Sequence, residues 1–380
     1  MKHKISKDIL LGMAVGDALG VPVEFRNRAE LDRDPVTGMR GYGTHNLPPG
    51  TWSDDSSLAF CLAESLCRGY NLDDIARRFV RWFYDCYWTP HGRVFDIGIG
   101  TRRAIGKLKA GAPPARAGGA EETDNGNGSL MRILPLLLHI RHMPLASSVP
   151  IISEVSGLTH RHPRSVLGCV ILLEFAKLLC DYPKEEALRL LQVNMGSLLR
   201  ANRGNLLKRD QVNRPQKDMD SLLDFPELDT ESKHFGRILP VPGKSPANGH
   251  DAPGKGPANG HDAPGTDPGN GHDAPADIRK IPRNKIRSTG YVVHTLEAAI
   301  WCIAKSTNYR DAVLMAVNLG DDTDTTAAVT GGLAGLAYGH DSIPQEWVIA
   351  LARKDDILEL AERLDDCSIR REQKERCQAR

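Results

Sequence analysis

At 380 residues, 41% of them apolar, the chain can bury a sizeable core as one large domain or two smaller ones. Its 49 lysines and arginines nearly balance 48 aspartates and glutamates, so the chain as a whole has no electrostatic reason to bind nucleic acid or an anionic membrane. The apolar run after the basic start is broken by Gly12, Gly16 and Asp17, and no apolar stretch is long enough for a membrane span, so neither a signal segment nor a membrane anchor is expected. Eight cysteines are scattered without a C-x-x-C pair, the pattern of reduced thiols in a cytoplasmic protein rather than of a disulfide framework or a zinc site.

In chain order, apolar residues recur at helical spacing over 9–19, 57–67, 72–84, 165–179, 184–199, 292–304, 309–318 and 326–337, as Leu58, Leu62 and Leu66 illustrate. Few segments alternate with period two, so a compact all-α fold is expected, with its polar clusters on the connecting loops. One stretch differs in kind. Between about Val241 and Asp277 a Pro/Asn/Gly/His/Asp/Ala repeat places His250, His261 and His272 eleven residues apart, each followed by Asp251, Asp262 or Asp273. A metal-collecting tract is one reading, and a low-complexity insertion too poor in large apolar residues to offset ordering entropy is the preferred one. The expected organisation is a single domain over 1–365, interrupted by a polar insertion at about 202–285 with its repeats at 246–276. A charged, solvated tail over 366–380 would follow.

Four polar clusters sit beside glycines at the edges of apolar helices. The first, Gly50 to Ser57, carries Ser53, Asp54 and Asp55 just before the helix with Leu58. Serine and aspartate are favoured helix caps, and acids near a helix N-terminus are stabilised by its dipole, so capping alone would explain this segment. The second, Gly320 to Thr326, holds Asp321, Asp322 and Asp324, more carboxylates than a cap requires. A cation would relieve their repulsion, and aspartate, serine and threonine oxygens form a hard ligand set suited to magnesium or manganese and compatible with calcium. The third, Asp124 to Arg132, alternates asparagine and glycine, either as a simple turn or as a cradle that lets a phosphate approach main-chain amides. The fourth, Ser156 to Pro163, includes His160, Arg161 and His162, which could touch phosphate or ribose.

Together and in this order, these segments resemble the ADP-ribosylglycohydrolase family, which includes the dinitrogenase reductase-activating glycohydrolase. The matching pieces are Gly16 to Gly20 with Glu24, Trp52 to Asp55, Phe95 to Gly98, Gly126 to Arg132, Thr159 with His160, Ser288 to Glu297 and Asp322 to Thr325. The resemblance implies an all-α domain with two divalent cations, Mg2+ or Mn2+, in a cleft. By position, Ser53, Asp54, Asp55, Asp322, Asp324 and Thr325 are the implied metal ligands. Glu24 and Asp96 are the implied catalytic carboxylates, with proton transfer assigned to one or the other. Asn127, Gly128, Ser129 and His160 match parts of the ADP-ribose pocket, and Tyr291 its far wall. Ser53 stands where many relatives have threonine, and the repeat insertion has no counterpart.

The expected activity is metal-dependent hydrolysis of the bond joining ADP-ribose to a modified acceptor, by a monomer. The partner would be an ADP-ribosylated protein or other acceptor, and a nucleic acid only if it carries the modification. Two alternatives stand beside it: an ADP-ribose sensor without turnover, and a metal-dependent nucleotide phosphatase.

Overall fold

A computed structural model describes residues 4–209, 230–239 and 277–378. Among them there is no strand, only two isolated bridges, Gly119 with His160 and Gly126 with Tyr291. The longer helices are α1 (Ile5–Gly20), α2 (Asp54–Leu66), α3 (Leu72–Asp85), α4 (Ile99–Lys109), α5 (Leu145–Gly157), α6 (Pro163–Asp181), α7 (Lys184–Arg209), α8 (Val292–Lys305), α9 (Tyr309–Val317), α10 (Thr323–Tyr338) and α11 (Lys354–Gln378). All eight helices expected from periodicity are present. Helices α4, α5 and α11 are additional: α4 and α11 are rich in charged residues, and α5 carries Pro150 within it.

At the centre of the molecule, α1 and α10 run antiparallel with their backbones in contact. Added Cβ atoms on Gly12 and Gly16 would lie 2.3 Å from the Gly331 oxygen and 2.0 Å from the Ala327 oxygen, so any side chain there would force the helices apart. The glycines that interrupt the apolar run are thus what allows α1 to be buried almost all round. The same register sets Gly20 against Asp324, which places the acidic start of α10 beside the end of α1. The site is therefore built where two tightly packed helices meet. Leu58, Leu62 and Leu66 of α2 turn inward as their spacing requires.

Two boundaries differ from expectation. The insertion placed at about 202–285 is too wide: Phe235, Ile238 and Leu239, and on its other side Ile278 and Ile281, are buried in the common core. The Trp301 indole donates to the Ile281 carbonyl at 2.9 Å, fixing the second flank to α8. Helix α7 also continues through the expected starting point of the insertion to Arg209. Short apolar groups set among polar residues are enough to anchor each flank, although they show no helical period. The repeats at 246–276, with His250, His261 and His272, lie outside the described residues.

The charged end is likewise not a detached tail, because α11 runs through it to Gln378. Its Cys367 thiol donates to the Cys67 carbonyl at 2.6 Å, and Arg371 donates to the Leu138 and His139 carbonyls at 3.0 and 2.6 Å. The described cysteines are free thiols. No described helix is long and apolar enough to cross a membrane.

Candidate active site

Four segments bring their carboxylates together. Asp17 lies on the last turns of α1, and the single turn Val21–Val23 then delivers Glu24. Ser53, Asp54 and Asp55 open α2, Asp322 to Thr325 open α10, and Asp96 sits in the loop before α4. The loops at Glu24 and Asp322 are tied by two backbone bonds: Phe25 N–H to the Asp321 carbonyl and Asp321 N–H to the Arg26 carbonyl, both 2.8 Å. Phe25, Asp96 and Asp321 all adopt left-handed φ angles, of 65°, 44° and 60°. Such backbone is costly for residues other than glycine and is held here by its surroundings.

The polar side-chain atoms form a continuous chain. Oxygens of Asp17, Asp55 and Asp324 lie within 4.8 Å of one another, as do those of Glu24, Asp322 and Asp324. Glu24, Asp96 and His45 form a third group of the same size. Asp324 belongs to the first two groups and Glu24 to the last two. Thr325 Oγ1 donates to Asp55 Oδ1 at 3.2 Å, which ties the starts of α10 and α2 together directly.

Capping accounts for only part of this. Ser53 Oγ accepts from Asp55 N–H at 3.3 Å, a cap bond, and Asp324 Oδ1 accepts from Thr325 N–H at 2.9 Å. Asp55 Oδ2 and Asp324 Oδ2, by contrast, are fully buried with no hydrogen-bond partner. Orphaned carboxylate oxygens in a buried, acidic cluster are expensive unless a positive charge meets them. Burial, followed by the neighbouring acids, lifts the Asp54, Asp55 and Asp324 carboxyls well above the usual range. Burial with Asp96, Asp322 and Asp17 pushes Glu24 up to about 10. Asp322 and Asp96 are raised in the same direction, each mainly by burial. The donor set is oxygen apart from one imidazole, so the residues fit hard divalent cations.

Two members of the cluster were not among the expected site residues. Asp17 is fully buried, and its oxygens accept from Ser53 N–H at 2.9 and 3.0 Å, Ser56 N–H at 3.1 Å and Ser56 Oγ–H at 2.6 Å. Those three donors, one of them shared by both oxygens, make it the clasp that holds α2 against α1, and burial still raises it to about 7. An acid inside a long apolar helix was the signal available in the sequence. His45 contacts Glu24 Oε2 through Nε2 at 2.5 Å and lies between the rings of Phe25 and Phe95. A single histidine in a loop carried no comparable signal.

The glycine-rich loop lies beside the acids. Asn127 donates through Nδ2 to Asp322 Oδ2 at 2.8 Å and to Thr295 Oγ1 at 2.9 Å, so its amide braces the cluster. Ser129 points inward and accepts from Ser156 Oγ–H at 2.9 Å, leaving its side chain no open face. The ring of His160 packs against Gly128, where an added Cβ would lie 2.7 Å from it. Tyr291 is half-buried next to the same loop, with its hydroxyl accepting from Arg164 at 3.2 Å.

Similarity to known proteins agrees with this arrangement. An ADP-ribosylarginine hydrolase of Pseudomonas putida is 32% identical over 364 residues, covering 95% of this chain and 78% of the relative. The enzyme of the same name from Serratia proteamaculans is 30% identical over 362 residues, covering 94% and 78%. The ADP-ribosyl-(dinitrogen reductase) glycohydrolase of Rhodospirillum rubrum is 27% identical, covering 93% of this chain and 92% of its own. A solved structure described as an ADP-ribosylglycohydrolase-related protein complex superposes with a TM-score of 0.65 at 28% identity, covering 97% of this chain and all of that one. Residues 6–374 match the ADP-ribosylglycohydrolase family profile, and the chain belongs to that family of hydrolases.

Proposed function

We propose that the chain hydrolyses the bond between ADP-ribose and an arginine side chain of a modified protein, using two divalent cations, Mg2+ or Mn2+. The observation that carries this reading is the pair of orphaned buried oxygens on Asp55 and Asp324, at the centre of a cluster of buried acids. Ser53, Asp54, Asp55, Asp322, Asp324 and Thr325 would hold the ions. When bound, the ions would orient the ribose hydroxyls and polarise a water. Arginine is the favoured acceptor because the relatives from Pseudomonas and Serratia are named for that linkage.

The chain's own groups divide the remaining work. Asp17 keeps the start of α2 in place, and Asn127 does the same for Asp322. Asp96 is half-buried, whereas Glu24 is only 4% exposed and already engaged by His45. A proton must pass between the cleft and water, so we assign its transfer to Asp96, with Glu24 the next candidate. The main chain of Gly126 to Gly128 together with His160 would receive the diphosphate, and Tyr291 would bound that end of the pocket.

A panel of peptides carrying ADP-ribose on arginine or on serine tests the acceptor. Faster release from the arginine linkage is expected. Release of inorganic phosphate instead of ADP-ribose would replace this reading with that of a nucleotide phosphatase.

A further inference from the structure

Behind the glycine-rich loop, Arg132 is buried, stacked 4.8 Å from the Phe79 ring centre, and donates to the Ser129 carbonyl, the Val155 carbonyl and Thr159 Oγ1. The bond to Thr159 Oγ1 is 2.8 Å, and the same oxygen lies 2.8 Å from His160 Nδ1. A guanidinium can only donate, so Thr159 Oγ1 accepts from Arg132. The threonine hydrogen then needs an acceptor in a place only 1% exposed, and among the described residues the one within reach is His160 Nδ1. If Nδ1 carried a proton instead, the hydroxyl hydrogen would be stranded in the interior, at a cost comparable to a lost buried hydrogen bond.

We propose that Arg132 and Thr159 are positioning residues that lock His160 in the tautomer with its proton on Nε2, presenting a neutral N–H donor to a phosphate oxygen of ADP-ribose. This rests on the reading given under Proposed function and deepens it. The direction of the donor follows from the packing. Added Cβ atoms on Gly100 and Gly126 would each lie 3.3 Å from Nε2, and one on Gly128 would lie 3.4 Å away, so Nε2 faces a gap that only glycines leave open. The Thr101 hydroxyl faces the same gap, 2.8 Å from that Gly128 position, and is buried without a partner. Two unspent hydrogen-bonding groups therefore converge on one space at the first turn of α4, whose cap residue Gly98 offers no side chain to close it. Burial and the charge of Arg132 push His160 down to about 3, which agrees with a neutral ring. A neutral donor with a fixed proton accepts an oxygen without changing state across the physiological range, and it rejects a group that can only donate.

The test uses the full chain labelled with 15N-histidine. In wild-type protein, with and without ADP-ribose, His160 is expected to show a protonated Nε2 and an unprotonated Nδ1. Thr159→Val removes the hydroxyl at nearly constant volume. It should release the tautomer preference and weaken ADP-ribose binding roughly tenfold or more, raising KM while kcat changes little. Thr159→Ser should restore both the spectrum and the affinity. A His160 protonated on Nδ1, or a folded Thr159→Val protein that binds ADP-ribose as wild type does, would overturn the proposal. If wild-type His160 carried its proton on Nε2 but the protein bound no ADP-ribose, the ligand assignment and the glycohydrolase reading would both fall, and the lock alone would stand.

Discussion

Replacing Asp324 by asparagine separates a metal site from a helix cap because the two accounts predict opposite signs. Asp324 is 1% exposed, its Oδ1 accepts from Thr325 N–H, and its Oδ2 has no partner among the carboxylates around it. Asparagine keeps the shape and the Thr325 bond, removes one buried negative charge, and turns Oδ2 into a donor aimed at acids. Metal-free protein should therefore become more stable, by about 1–3 kcal/mol, or roughly 2–5 °C in melting temperature. Cation binding should weaken at least ~100-fold, equivalent to about 2.7 kcal/mol, since the position is shared by two ligand groups. Differential scanning calorimetry with EDTA and with millimolar Mn2+ reads both effects, and turnover of an ADP-ribosylated peptide reads the third. A cap alone would cost at most about 1 kcal/mol and leave metal affinity and turnover intact, because asparagine caps as well as aspartate. That outcome would refute the reasoning.

Asp96→Asn should lower kcat by at least ~100-fold while ADP-ribose affinity falls far less, since an amide still hydrogen-bonds but cannot take a proton; unchanged turnover in steady-state assays would pass the role to Glu24. Chelated protein should lose stability as pH rises from 6.5 to 9. Glu24, normally near 4.5, is lifted to about 10 in the folded state, so its contribution is complete below about pH 4.5 and is lost progressively as pH climbs toward 10, by up to about 1.4 kcal/mol per unit. Melting curves should show the decline with EDTA and a much smaller one with Mg2+; equal declines would argue against cation neutralisation. Deleting 246–276, the repeats alone, should leave turnover and melting temperature within a few per cent and about 2 °C, whereas extending the deletion to include Phe235 or Ile281 should destabilise the core.

What the sequence disclosed was whatever has a local pattern. Helix α2 declares itself through Leu58, Leu62 and Leu66, and the acids at 53–55 and 322–324 through their density beside a glycine. The convergence of those two loops is non-local: it depends on Gly12 and Gly16 allowing α1 to lie against α10, and a glycine in an apolar run reads first as an interruption. Asp17 stayed hidden for the same reason, since its three donors come from Ser53 and Ser56, far along the chain. The flanks of the insertion are not legible in the sequence because Phe235, Ile238, Leu239, Ile278 and Ile281 act by filling space against α6 and α8, which leaves no periodic trace. Asn127 and Ser129 were legible as a special loop. That their side chains bond to other parts of the protein became visible only with their partners Asp322 and Ser156 in place.

On the proposed reading, two cations in the acidic cluster are required to free ADP-ribose. Protein stripped by chelation should retain its helical fold and release no ADP-ribose from an arginine-linked peptide. Stepwise addition of Mn2+ or Mg2+ should restore release as binding, followed by calorimetry, saturates near two ions per chain. Undiminished ADP-ribose release from protein shown by elemental analysis to be metal-free would contradict the account.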